Sequence, residues 1–230
     1  MKSTIICLSL AALSATFTHA KTPILKDSFD YTSNSDFKSS DWTGGTADNK
    51  AFPYYATTDN GRNNVVILNN RFIYRDFGKT LTDSFSVNID IQHNTSAPRQ
   101  QWVLVCSEPD MNGKVEGYSF TWSSSDDRVF ISRYSGDFSD YVASDRRGPG
   151  GKDLASALTG LNSLEANPMR VDQFETLTFA WDKSGALTLS AKSAGELLHT
   201  SDTSYSSFSR IYISGNANGY FDNLSVSTGR

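Results

Sequence analysis

The sequence predicts an all-β protein, an antiparallel two-sheet β-sandwich. Three observations carry this. Short segments alternate apolar and polar residues with period two. Clusters of Gly, Asn and Asp separate them. Aromatic residues make up 12% of the chain, too many for a disordered one.

In chain order, the first element is a leader. Lys2 is followed by an apolar and small-residue run over 5–15, and Thr18-His19-Ala20 supplies the small residues a signal peptidase reads. We expect cleavage after Ala20, leaving residues 21–230 as one exported domain. The run is too short to span a bilayer, and no second one follows it.

The clearest strand is 85–92, where Phe85, Val87, Ile89 and Ile91 point one way and Ser86, Asn88, Asp90 and Gln92 the other. The run 101–106 is an apolar strand. Residues 118–123 set large aromatics against hydroxyls. Further short strands are expected at 129–134, 177–181, 186–191, 210–214 and 224–227. Turn signals fall at Asp59-Asn60-Gly61, Asn112-Gly113, Asp182-Lys183-Ser184-Gly185 and Asn216-Ala217-Asn218-Gly219, the third reading as a tight hairpin. The polar residues Asn88, Asp90, Gln92, Ser119, Thr121, Ser123, Ser132, Tyr134 and Thr178 are expected on the solvated side. Trp102, Trp122 and Trp181 are expected to pack.

An irregular insertion is expected over 136–168. It carries Arg146-Arg147-Gly148-Pro149-Gly150-Gly151-Lys152. Asp153 then reads as the cap of a short helix with Leu154, Leu158 and Leu161 on one face. A segment this long is ordered only against packing or a ligand.

The chain has two cysteines. Cys7 leaves with the leader, so Cys106 has no intrachain partner and reads as a buried thiol. The formal charge of −4 argues against nucleic acid or an anionic membrane as the main partner.

Three motifs, in order, carry a resemblance. Lys26-Asp27-Ser28-Phe29-Asp30-Tyr31 is followed by Trp42. Glu116-Gly117-Tyr118-Ser119-Phe120-Thr121-Trp122 lies mid-chain, and Tyr220-Phe221-Asp222-Asn223-Leu224-Ser225-Val226 closes it. Together they resemble secreted bacterial concanavalin A-like lectin/glucanase domains (LamG-like). The resemblance implies a jelly roll and a theme of glycan binding, though a fold does not by itself set a function. It also implies a structural Ca²⁺ between the termini, with Asp27, Asp30 and Asp222 as the matching acids.

Glucanases on this fold carry a Glu-x-Asp-x-(x)-Glu string on one strand face. Glu108-Pro109-Asp110 is the nearest approach, and Met111-Asn112-Gly113 follows it. A Gln-x-His lyase strand is also missing, since Gln92 and His93 are adjacent. The expected function is therefore a non-catalytic domain that binds a polysaccharide or cell-surface glycan. The alternatives are a lyase or hydrolase on the same fold, or a structural or adhesive surface protein. The expected binding residues are Tyr54, Tyr55, Tyr134 and Tyr141 as sugar platforms and Arg133, Arg146 and Arg147 as ligands for acidic groups.

Overall fold

The computed structural model describes residues 21–46, 53–57, 61–67, 71–92, 100–123, 128–137, 151–158, 173–216 and 219–229. The expected leader, Tyr141, Arg146 and Arg147 lie outside them.

The strands in chain order begin with β1 (Thr22–Asp27), β2 (Thr43–Thr46), β3 (Tyr54–Thr57), β4 (Asn63–Ile67) and β5 (Arg71–Leu81). Next come β6 (Phe85–Gln92), β7 (Gln100–Cys106), β8 (Lys114–Ser123), β9 (Arg128–Asp137) and β10 (Lys152–Leu158). The chain ends with β11 (Glu175–Trp181), β12 (Ala186–Ala191), β13 (Gly195–Ser201), β14 (Phe208–Asn216) and β15 (Gly219–Thr228). The first sheet runs β13-β12-β11-β6-β15-β4-β3, with β1 also on β15. The second runs β10-β9-β8-β7-β14-β5-β2. Neighbours pair antiparallel throughout, so the expected two-sheet sandwich is the architecture.

Period-two patterning sets the main core. Val87, Ile89 and Ile91 of β6 and Leu177 and Phe179 of β11 have no exposed surface, and they face Phe120, Trp122 and Ile131 of the second sheet. Phe85 stacks on Trp181 at 5.6 Å between ring centres and meets Phe208 edge-on at 5.1 Å. Each such ring removed from water stabilises the fold by about 2 kcal/mol.

The β11–β12 hairpin closes where the sequence places it. Gly185 donates to the Asp182 carbonyl at 2.7 Å, and its φ of 92° is a conformation few other residues adopt.

The structure corrects two expectations and adds one element. The first is the short helix expected from Asp153, of which Leu161 lies outside the described residues. Residues 152–158 instead form β10, paired with β9 from Lys152↔Arg133 to Leu158↔Arg128. The register shift between Asp153 and Ala155 disguises the strand period, and the free edge of β9 outweighs a weak helical pattern. The insertion expected over 136–168 therefore contains a strand, and β9 itself extends to Asp137.

The second concerns the polar residues expected on a solvated side, which divide between the two sheets. Asn88, Asp90, Gln92 and Thr178 lie on the outer face of the first. Ser119, Thr121, Ser123 and Ser132 lie on the outer face of the second and are all buried. They share that face with a second apolar cluster that includes Trp102, Leu104, Cys106, Tyr134 and Tyr212. Cys106 is fully buried, and burial pushes its thiol far above the usual range.

The added element is a short helix, α1 (Asn34–Lys38). Ser33 accepts from the Asp36 amide at 3.1 Å, and the Asp36 carboxylate accepts from the Thr32 amide at 2.9 Å. This reciprocal cap holds one turn and buries Phe37. Among the described residues no helix is long and apolar enough to cross a membrane.

Candidate functional site

The two sheets meet along an open side of the sandwich. There β2 stops pairing with β5 at Thr43↔Tyr74, so β5 runs on past the end of its edge partner. Across the gap lies β1, bound to β15 on its other side. Between them opens a cleft of about 300 Å³. Tyr74, Arg75 and Asp76 of β5 line it with Asp41 and Thr43, and Ile24 and Phe77 give it apolar floor.

Its charged lining residues Asp41, Arg75 and Asp76 are held in two units, the second completed by Arg210 from outside the lining. Arg75 donates to Asp41 at 2.5 Å and lies 3.5 Å from Asp27. Arg210 of β14 grips Asp76 with two bonds, Nε to Oδ1 at 2.5 Å and Nη2 to Oδ2 at 3.0 Å. This fork is the strong, geometry-setting form of the pair. The Arg210 guanidinium sits 4.2 Å above the Tyr74 ring and donates to the Tyr212 hydroxyl at 3.1 Å. Burial pushes that hydroxyl up to about 12. The carboxylates are the exposed members. Asp41 and Asp76 side chains are 79% and 49% exposed, against 22% and 14% for Arg75 and Arg210.

Asp27 is the hub behind Arg75. It accepts from the Trp42 indole at 2.7 Å, the Tyr31 hydroxyl at 2.7 Å and the Phe29 amide at 2.8 Å. Burial, with this carboxylate alongside, pushes the Tyr31 hydroxyl well above the ordinary phenol range. Phe29 takes a φ of 51°, a conformation rare for a bulky residue and held here by the Asp27 bond. The opening Asp-x-Phe…Trp pattern is thus a polar latch under one wall of the cleft.

The acids expected to share a Ca²⁺ sit in separate places. Asp27 serves the latch, and Asp30 is exposed. Asp222 lies opposite Asp90 on the outer face of the first sheet, and Arg62 bonds to both carboxylates. Thr176 donates to Asp90 at 2.6 Å, and the Arg62 guanidinium lies 4.0 Å from the centre of the Phe174 ring. Asn223, at φ 46°, donates its side-chain amide to Asp90 at 3.0 Å and its backbone amide to Asp222 at 2.8 Å. Burial raises the Asp222 pKa against the opposing pull of Arg62. The Arg62 guanidinium thus bridges Asp222 and Asp90, next to the register shift between Asp222 and Ser225.

The expected sugar platforms are dispersed. Tyr134 has no exposed surface and donates to the Asp137 carbonyl, so no ring face is offered. It lies within β9, where the alternation turns it into the second apolar cluster. Tyr55 of β3 is half-buried and bonded to Thr57 and Asn63. The backbone of Tyr54 pairs with Val66. Arg133 binds Asp202 at 3.2 Å and Ser204, tying down the chain before β14. Tyr55, Tyr134 and Arg133 do not line the cleft.

The sequence reading missed Asp41, Thr43, Tyr74, Arg75, Asp76 and Arg210. The one local signal is the charged pair Arg75-Asp76 inside an aromatic run, and β5 itself escaped notice because both its faces carry rings.

A smaller cleft of about 240 Å³ lies at the end of the first sheet, against Lys21, Ser84, Ser86, Asp182 and Thr188. Asp182 there is engaged by Ser84 at 3.1 Å and by the Ser184 amide at 2.8 Å.

No protein-family model and no curated protein sequence matches the chain. Solved structures do. A carbohydrate-binding module from Bacillus subtilis aligns with TM-score 0.53 and 14% identity, over 82% of this chain and 96% of that one. A Bacillus subtilis protein of unknown function with a galectin-like fold aligns with TM-score 0.58 and 10% identity, over 91% and 98%. The binding domain of botulinum neurotoxin serotype G aligns with TM-score 0.55 and 12% identity, over 91% of this chain and 48% of that one. At these identities the likeness is one of fold.

Proposed function

We propose that this is a carbohydrate-binding domain and that the cleft between β1, β2 and β5 holds the sugar. One observation carries the reading: an open cleft of about 300 Å³ in which exposed carboxylates, a guanidinium and a hydroxyl surround apolar floor. Sugars present hydroxyls at their edges and C–H groups on their faces, and sites for them need this mixture. The fixed Arg75–Asp41 and Arg210–Asp76 pairs are set before a ligand arrives, which lowers the ordering cost of binding. The fold shared with a carbohydrate-binding module supports the same reading. In it, residues 1–20 are an export signal and the glycan is met outside the cytoplasm.

The test is calorimetric titration against a panel of polysaccharides, with Asp41→Ala and Thr43→Val beside the parent protein. Both positions lie at the rim, so folding should be spared, which thermal melts check. Each substitution removes hydrogen bonds to the ligand, and affinity should fall about tenfold for Asp41 and less for Thr43. Unchanged affinity in both variants would place the site elsewhere.

A further inference from the structure

We infer that the cleft selects uncharged sugars and rejects uronates and other anionic ones. The inference rests on the proposed binding reading and adds a charge rule to it.

Arg75 is the guanidinium lining the cleft, and Arg210 of β14 holds its neighbour Asp76; each is already engaged by carboxylates. Arg210 is closed by the two-bond grip on Asp76, and Arg75 lies between Asp41 and Asp27. Two carboxylates therefore flank Arg75, and a third is held by Arg210. The outermost groups are negative, with Asp41 at 79% and Asp76 at 49% exposure. An anionic sugar reaches Arg75 only by displacing Asp41, which trades one carboxylate–guanidinium contact for another and leaves Asp41 unpaired beside a like charge. Two unit charges 4 Å apart repel by about 1 kcal/mol in water and about 4 kcal/mol at a typical protein surface. A neutral sugar meets no such opposition. Its hydroxyls donate to the free oxygen positions of Asp41 and Asp76, which ionised carboxylates keep even when paired.

Matched oligosaccharides test this: oligogalacturonides against their methyl esters, and neutral glucans, mannans and galactans against their C6-oxidised forms. Each pair differs in charge at the same backbone. We expect the neutral member to bind at least about tenfold more tightly. Asp41→Asn keeps the shape and removes the charge, so it should narrow that gap. Raising the salt should narrow it too, because exposed charges are screened. If an anionic member binds as tightly as its neutral partner and Asp41→Ala weakens both, the cleft is the site and the charge rule is overturned. If neither member of any pair binds, the carbohydrate reading fails with it. If anionic binding dominates and is indifferent to Asp41, the ligand site lies outside the cleft and both are overturned.

Discussion

At the scale of single residues, Asp27 does most to join fold and site. Its two oxygens collect an indole, a phenol, a backbone amide and Arg75. Its side chain is only 11% exposed, so its loss leaves several donors short of a partner in a poorly hydrated place. Asp27→Ala should cost about 3 kcal/mol in urea denaturation. Asp30→Ala, at an exposed position three residues on, should change stability by less than about 0.5 kcal/mol. A loss below about 1 kcal/mol for Asp27 would show that the latch is weaker than its geometry implies. The motif containing both acids was legible in the sequence, but its use was not. A short acidic pattern fits a cation site and a hydrogen-bond hub equally well, and Arg75, the charged partner that decides, lies far along the chain.

At the scale of elements, legibility followed solvation. β6, β11 and β12 each have one polar face, so their alternation reads directly from the residues. β5 has Phe72 and Tyr74 on one face and Ile73 and Phe77 on the other, which erases the period where the site is built. β10 reads as a helix until β9 offers it an edge. Contact between strands also explains a residue that patterning leaves unexplained, Gly117 in β8. A Cβ there would lie 2.1 Å from the Val105 carbonyl oxygen and 2.6 Å from the Cys106 backbone. Both are main-chain atoms of the paired strand β7, so the sheet itself must shift. Gly117→Ala should therefore destabilise by about 3 kcal/mol or more in chemical denaturation. Gly78→Ala at the cleft meets no atom within 4 Å and pays only for its φ of 69°, about 1 kcal/mol. Equal costs for the two would mean that β7 and β8 are not packed as closely as this.

At the scale of the whole molecule, the sandwich was predictable because two layers of alternating strands are a general solution to burying aromatic faces. The site was not, because positions 24, 41 and 75 have no spacing in common. They converge only where β2 ends early on β5 and β1 crosses from the other sheet. Binding of sugar at this junction is what we propose. Titrating isotope-labelled protein with the tightest neutral glycan of the panel, while following backbone amide resonances, checks it residue by residue. Shifts should centre on Ile24, Asp41, Thr43 and residues 74–78, with those around Arg62 and Asp222 unmoved. Shifts centred on Ser84, Ser86 and Thr188 at the smaller cleft, or on the Arg62 cluster, would contradict it.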